Sequence, residues 1–149
     1  MELGKLYAIQ TTASTTEGAQ YVYCKKLVKN ETGERPLYTG YHSTVSAFYY
    51  GTLIVGDQFD GNFDGYSALD TNIPLSSLKE PTAFDSPTTF AVASVIPGWT
   101  AALQLMRAGE RWMLYIPWQS AYGSSGNNDG TIPGYTALTF DLLLERIVE

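Results

Sequence analysis

Only one stretch of this 149-residue chain has the spacing of apolar residues that an α-helix needs, and β-prone segments lie on both sides of it. Trp99, Leu103 and Met106 recur at positions i, i+4 and i+7, which predicts one helix over residues 99–108 with a single apolar face. Because one helix cannot cover both faces of a sheet, we expect an α+β fold in which a curved antiparallel sheet of about five strands wraps around one short helix.

The ends of the helix and the positions of the strands follow from local composition. Pro97 stands just before the helical pattern and Gly109 just after it, as helix ends prefer. Segments that alternate apolar and polar residues, or that are rich in β-branched and aromatic residues, predict the strands. These segments are residues 20–28, 43–54, 58–60, 90–95, 111–116 and 136–148.

The chain is expected to form one domain that follows a short tail. Residues 1–18 end in a Thr/Ser-rich patch and are predicted to be an N-terminal tail or linker, which leaves residues 19–149 as the domain. Within the domain, residues 61–88 are polar and rich in turn-forming residues, and they predict a long loop with a short helical turn at residues 75–79. Long loops in compact domains are often functional.

Composition excludes several classes of function. The net charge of −6 argues against a nucleic-acid binder, which usually presents a basic face. Cys24 is the only cysteine and His42 the only histidine, so the chain has almost nothing from which to build a zinc site or a Ser-His-Asp triad. No metal or cofactor is expected. No apolar run approaches transmembrane length. No signal peptide stands at residues 1–18, but a removed signal would leave the same mature sequence.

One acidic segment has a second interpretation. The run Asp60-Gly61-Asn62-Phe63-Asp64-Gly65 matches the beginning of an EF-hand calcium loop. The twelfth position of that loop is Thr71 where calcium binding requires Glu, and no helix is predicted before Asp60. A turn-rich loop with solvated acids is therefore favoured over a calcium site.

Four sequence motifs occur in a fixed order along the chain. In order, they are Tyr49-Tyr50-Gly51-Thr52-Leu53 with Gly56 and Phe59-Asp60; Val95-Ile96-Pro97-Gly98-Trp99; Tyr115-Ile116-Pro117 with Ala121-Tyr122-Gly123; and Ile132-Pro133 followed by Leu138-Thr139-Phe140-Asp141. Together they resemble the FKBP-type peptidyl-prolyl cis-trans isomerases over about residues 18–147. Any one motif alone is weak, whereas four with compatible spacing are specific.

The resemblance implies a pocket between the helix and the sheet. The residues implied as catalytic are Tyr49, Phe59, Asp60, Trp99, Tyr122 and Phe140, and those implied as substrate-binding are Phe90, Val95, Ile96 and Ile132. In this family the indole at the Trp99 position forms the floor under the proline ring. The loop over residues 61–88 is longer than the usual connection, and the resemblance implies that it lies near the pocket mouth.

The chemistry implied by the resemblance needs no nucleophile and no metal. Isomerisation of an X-Pro bond only requires that the twisted amide be favoured over both planar forms. A twisted amide carries less charge on its carbonyl oxygen, so an apolar pocket that removes water favours it. The backbone N–H of Ile96 and the hydroxyl of Tyr122 are expected to hold substrate carbonyls. Asp60 is expected to accept a hydrogen bond from Tyr49.

Other interpretations of the same residues stay open at this point. Phe59, Val95, Ile96 and Phe140 also fit a plain hydrophobic core. The main alternative function is a catalytically weak module that binds proline-containing peptides or acts as a chaperone. The long loop over residues 61–88 is the reason for considering it. A third alternative is a carbohydrate-binding surface made of exposed Tyr and Trp side chains.

The resemblance also implies partners and a location. Proline-containing polypeptides are the expected partners, and macrolides that inhibit the family are candidate ligands. Nothing in the sequence indicates an oligomer, so a monomer is expected. A periplasmic or cell-envelope location is favoured because the family is common in bacterial envelopes and residues 1–18 suit a tether. A cytoplasmic location is the alternative.

Overall fold

The computed structural model describes residues 2–15, 18–53, 58–63, 79–127 and 130–148. Seven strands and one α-helix lie within these ranges. The strands are β1 (Leu6–Thr15), β2 (Gly18–Val28), β3 (Thr44–Leu53), β4 (Gln58–Gly61), β5 (Thr88–Ala91), β6 (Arg111–Ile116) and β7 (Leu138–Ile147), and the helix α1 spans Pro97–Leu105. Two 3-10 helices, Val92–Ser94 and Trp118–Ser120, follow β5 and β6.

All seven strands belong to one antiparallel sheet. Six of them follow the order β1-β2-β6-β7-β3-β4, and β5 also pairs with β3. The outer edge of β3 is shared by two short strands. Residues 44–47 of β3 pair with β5, and residues 50–52 pair with β4. The two residues between these stretches, Phe48 and Tyr49, therefore face neither short strand in the ladder.

The main hydrophobic core lies between α1 and one face of the sheet. The predicted helical face is buried, since Trp99, Leu103 and Met106 are all in this core. Alternate residues of β7 pack against it, as the period of two along a strand requires: Leu138, Phe140, Leu142 and Leu144. The prediction of an α+β fold with an antiparallel sheet around one helix is confirmed. The helix ends at Leu105, three residues before its predicted end, and Met106 continues in extended conformation.

The opposite face of the sheet carries a second, smaller cluster. Leu27, Tyr50, Phe63 and Met113 are buried in it. Beside this cluster the guanidinium of Arg111 lies 5.7 Å from the centre of the Phe63 ring. Phe63 belongs to the segment that was predicted to be a long loop near the pocket mouth. The structure places this residue on the face away from α1.

Arg111 connects the end of the same segment to the sheet. Its Nε and Nη2 atoms donate to the two carboxylate oxygens of Asp141, at 2.8 and 2.5 Å. Its Nη1 donates to Glu80 Oε1 at 2.8 Å, and its Nη2 also donates to the carbonyl of Lys79. Among the described residues of this segment, Phe63 is thus held by packing, and residues 79–80 by hydrogen bonds and charge. The helical turn predicted at 75–79 lies outside the described residues except for Lys79.

Two predictions about the chain's elements are corrected. The tail predicted for residues 1–18 is wrong for Leu6–Thr15, because these residues form β1, which pairs with β2 over residues 6–10 and again at residues 14–15. The strand predicted at 90–95 is shorter and begins earlier, at Thr88, because the chain turns into the 3-10 helix at Val92. Among the described residues, no helix has the length and apolar character that crossing a bilayer requires.

Candidate active site

A cavity of about 300 Å³ opens where the beginning of α1 meets the sheet. Its lining comes from four strands, from the beginning of the helix and from the turn after β6. The lining residues are Tyr49, Phe59, Asp60, Phe90, Ser94, Val95, Ile96, Trp99, Tyr122 and Phe140. Eight of these ten side chains are aromatic or aliphatic, so the site is mostly apolar with a few polar groups, as small-ligand sites generally are.

Trp99 forms the centre of the cavity's aromatic cluster. Its indole makes edge-to-face contacts with three rings, with centroid distances of 5.0 Å to Phe90, 5.2 Å to Phe140 and 5.3 Å to Tyr49. Edge-to-face geometry is the arrangement that aromatic quadrupoles prefer. Trp99 is only 3% exposed, and three surrounding rings restrict its orientation. The indole is therefore a rigid floor rather than a mobile surface side chain.

A glycine on β3 allows the wall opposite the helix to form. The rings of Phe59 and Phe140 meet edge to face at 5.5 Å above Gly51. A Cβ atom at position 51 would lie 2.7 Å from Cε1 of Phe140 and 2.8 Å from Cζ of Phe59, closer than real Cβ contacts allow. Only glycine permits both rings to lie against the strand at this point, which explains its place in the first motif.

Tyr49 and Asp60 form a polar pair at the edge of the cavity. The hydroxyl of Tyr49 donates a hydrogen bond to the Asp60 carboxylate. Burial first, and then this hydrogen bond and the charge of Asp60, raise the pKa of Tyr49 well above its ordinary value. Asp60 Oδ1 also accepts the backbone N–H of Gly61 at 2.8 Å. The tyrosine therefore stays a neutral donor across the physiological pH range.

The remaining lining residues stand at the beginning of α1 and on the turn after β6. Ile96 is the N-cap residue, and its carbonyl accepts the N–H groups of Trp99 and Thr100 at 2.9 and 3.1 Å. Thr100 Oγ1 donates to the Val92 carbonyl at 2.7 Å and so fixes the beginning of the helix to the preceding turn. Tyr122 is 38% exposed and borders the cavity from the side of the 3-10 helix Trp118–Ser120.

A comparison with protein-family models gives a match to the FKBP-type peptidyl-prolyl cis-trans isomerase model over residues 39–145, which covers more than two thirds of the chain and every residue of the cavity. This chain belongs to the FKBP family. The FKBP resemblance on which the four motifs were grouped is thereby confirmed.

Individual relatives match between 47% and 90% of the chain. An FKBP-type isomerase, FkpA, from Aeromonas hydrophila is 34% identical over 134 residues, which is 90% of this chain and 40% of the relative. The macrophage infectivity potentiator of Trypanosoma cruzi is 52% identical over 76 residues, 47% of this chain and 38% of the relative. The outer membrane protein MIP of Legionella longbeachae is 40% identical over 106 residues, 71% of this chain and 34% of the relative. The chain spans only about a third to two fifths of the length of these curated relatives.

Solved FKBP structures have the same fold. The peptidyl-prolyl isomerase of Pseudomonas syringae superposes with a TM-score of 0.63 at 28% identity and covers 93% of this chain and 81% of its own. FkpA of Escherichia coli superposes with a TM-score of 0.61 at 29% identity, over 89% of this chain and 49% of its own.

The structure brings nine of the ten predicted FKBP site residues into one cavity lining. Ile132 is the exception, because it is buried in the main core. Its N–H donates to Asn127 Oδ1 at 2.9 Å, and its carbonyl accepts the backbone N–H of Asn127 at 3.0 Å. Its predicted contact with substrate stays a prediction. Ser94 lines the cavity and was not predicted, although it directly precedes the motif that begins at Val95.

The calcium interpretation of residues 60–71 rests largely on positions outside the described residues, including Asp64, Gly65 and Thr71. Among the described residues, no three His, Cys, Asp or Glu side chains come close enough together to hold a metal ion. The amide of Asn62, which would be a calcium ligand, hydrogen-bonds to the backbone of β3 instead.

Proposed function

We propose that this chain catalyses the cis-trans isomerisation of X-Pro bonds in polypeptides, and that the aromatic cavity around Trp99 is its active site. The observation that carries the proposal is the indole floor enclosed by Tyr49, Phe90 and Phe140 in a chain of the FKBP family. A flat aromatic floor matches the shape of a pyrrolidine ring, and the cavity of about 300 Å³ is at the small end of ligand sites, as a short peptide segment requires.

The reaction breaks no covalent bond, which agrees with the residues available in the cavity. The barrier to rotation about a peptide bond is roughly 18–20 kcal/mol and comes from amide resonance. In the twisted transition state the conjugation is lost, and the carbonyl oxygen carries less negative charge. When an apolar cavity removes water from the amide, the cost in free energy is smaller for the twisted form than for the planar form. The walls made by Phe59 and Phe140 supply such surroundings.

Polar groups at the rim have the complementary role of orienting the peptide. In our proposal the Ile96 N–H at the beginning of α1 and the Tyr122 hydroxyl hold the carbonyls on either side of the proline. The Tyr49–Asp60 pair fixes the rim of the cavity, and Asp60 places a carboxylate beside the reacting amide. Phe90 and Val95 contact the flanking side chains of the substrate.

The test is a proline-peptide isomerisation assay with the wild-type protein and with Trp99→Leu and Asp60→Val. We expect a rate gain from the wild type and at least a tenfold loss in each variant. Trp118→Leu is the matched control, because Trp118 lies outside the cavity and packs on Tyr135 at 4.8 Å. Equal rates with and without the wild type would contradict the proposal. Peptide binding or suppression of aggregation without a rate gain would favour the alternative of a non-catalytic chaperone module.

Further parts of the proposal concern partners and location. We propose that proline-containing segments of unfolded polypeptides are the substrates, that macrolides occupy the same cavity, and that the chain is a monomer. A periplasmic or envelope location is proposed because one relative is named as an outer membrane protein. Competition of a macrolide with a proline peptide, sedimentation and cell fractionation test these points one by one. We also propose that residues 19–149 form one domain to which β1 adds an edge strand.

A further inference from the structure

The outer edge of β3 has a gap in its strand pairing beside the cavity. β5 pairs with residues 44–47, β4 pairs with residues 50–52, and neither reaches Tyr49. Backbone N–H and C=O groups in such a gap lose their ladder partners, and unpaired polar groups away from water are costly. The backbone of Tyr49, whose ring lines the cavity, therefore depends on some other group for its hydrogen bonds.

Asn62, which follows β4, fills this gap almost completely. Its side-chain Oδ1 accepts the Tyr49 N–H at 2.8 Å, and its own backbone N–H donates to the Tyr49 carbonyl at 2.9 Å. Its Nδ2 donates to the Ala47 carbonyl at 2.9 Å and to Thr88 Oγ1 at 3.1 Å. The side-chain amide thus acts like a peptide group of a missing strand, with one acceptor and one donor on the same edge.

The three strands that Asn62 joins are the ones that carry one side of the cavity. Tyr49 stands on β3, Phe59 and Asp60 on β4, and Phe90 on β5. We infer that Asn62 is a positioning residue of the active site, which holds the Tyr49 backbone so that the ring meets Trp99 and the hydroxyl reaches Asp60. The role in catalysis rests on the proposed function, whereas the role in placing Tyr49 does not.

Three related side chains would not satisfy the same set of groups. An aspartate has no donor for the Ala47 carbonyl and would set a charge against it. A glutamine is longer by one methylene, and a serine is too short to reach both Tyr49 and Ala47. The amide of Asn62 is the smallest side chain that carries both a donor and an acceptor at the required distance.

The test compares Asn62→Ala with a matched control, Asn30→Ala. Asn30 is also a loop asparagine. Its side-chain amide donates to the carbonyl of Ala108 at 2.8 Å and accepts the backbone N–H of Thr32. It is not part of the cavity lining. The two variants therefore lose similar hydrogen bonds. Each protein is labelled with ¹³C-tyrosine, and the Tyr49 resonance is identified by its absence in Tyr49→Phe.

Two readouts distinguish positioning from simple loss of stability. Burial and the bond to Asp60 raise the pKa of Tyr49, so in Asn62→Ala we expect the Tyr49 resonance to begin its titration at least one pH unit lower than in wild type. We also expect kcat/KM to fall about tenfold. Asn30→Ala is expected to lower the unfolding midpoint comparably and to change neither readout. If Asn62→Ala does not fold, Asn62→Ser replaces it with the same expectation of direction.

The outcomes separate this inference from the proposed function. An unchanged Tyr49 titration in the Asn62 variant that folds overturns the positioning role, whatever the activity. A wild type without isomerase activity contradicts the proposed function, while the Tyr49 titration still decides whether Asn62 places the ring. A lower titration together with unchanged kinetic constants overturns the part of the inference that concerns catalysis.

Discussion

The hydroxyl of Tyr49 donates a hydrogen bond to the carboxylate of Asp60, and this bond joins β3 to β4 at the edge of the aromatic cavity. Both residues come from the first sequence motif, yet eleven positions separate them. The bond forms because β3 and β4 pair antiparallel, which places Asp60 opposite Gly51, two residues from Tyr49.

Tyr49→Phe is expected to change how stability depends on alkaline pH. The pKa of Tyr49 is raised in the folded state, so its stabilisation is complete below the unfolded value of about 10 and is lost as the pH rises above it. The free energy of unfolding of the wild type should therefore fall more steeply above pH about 10 than that of Tyr49→Phe. Urea titrations at several pH values measure this difference. Parallel pH profiles for the two proteins would contradict it.

Gly51→Ala is expected to disrupt the contact between Phe59 and Phe140. The added methyl group would overlap both rings, and overpacking of this kind typically costs about 1–3 kcal/mol. We expect a lower unfolding midpoint and a weaker affinity for proline peptides, measured by calorimetry. The control is Gly33→Ala, whose methyl group would press on the Ala108 carbonyl outside the cavity lining. The control should lose stability without losing affinity, and equal affinities in both variants would count against the role of Gly51.

Arg111→Met is expected to be strongly destabilising. Arg111 is 1% and Asp141 0% exposed, and removal of one partner of such a buried pair leaves an uncompensated charge, at a cost of about 3–5 kcal/mol. The double variant Arg111→Met with Asp141→Leu should recover most of that loss, because both charges are then absent. Chemical denaturation measures all three proteins.

The exposed pair Lys29–Glu31, 3.5 Å apart, provides the comparison for Arg111. Lys29→Met should change the free energy of unfolding by less than about 1 kcal/mol, since water screens surface ion pairs. A double variant of Arg111 and Asp141 that is as unstable as Arg111→Met alone would show that the lost charge is not the cause.

Glu110→Gln is expected to reduce the acid sensitivity of the fold. Burial alone would raise the pKa of Glu110, but hydrogen bonds from the backbone of Arg107, from Lys26 and from the backbone of Asn30 outweigh it and lower the pKa. Its stabilisation is therefore present above the unfolded pKa of 4.5 and is lost as the pH falls through the folded value. The wild type should lose stability below pH about 4.5 more steeply than Glu110→Gln. Acid unfolding followed by circular dichroism tests this, and identical acid midpoints would rule it out.

Local patterns in the sequence predicted the elements that face the main core. The spacing of Trp99, Leu103 and Met106 indicated the helix, and alternation indicated β6 and β7, because a buried face repeats with the period of its element. The first strand was missed. Leu6–Thr15 is rich in threonine and ends in a patch typical of linkers, and it forms a strand by pairing with β2, which its own composition does not reveal.

The sequence by itself determined the fold class and the family, because these depend on residue types at fixed spacing. Of the ten site residues that the motifs implied, nine line the cavity. Tertiary structure alone decided that Asn62 completes the edge of β3 and that Arg111 reaches Asp141 and Glu80. It also decided that Ser94 lines the cavity whereas Ile132 does not. Such contacts join residues far apart in the chain. Their partners are set by strand register and by the face of the sheet that each side chain occupies, and a local pattern specifies neither of these.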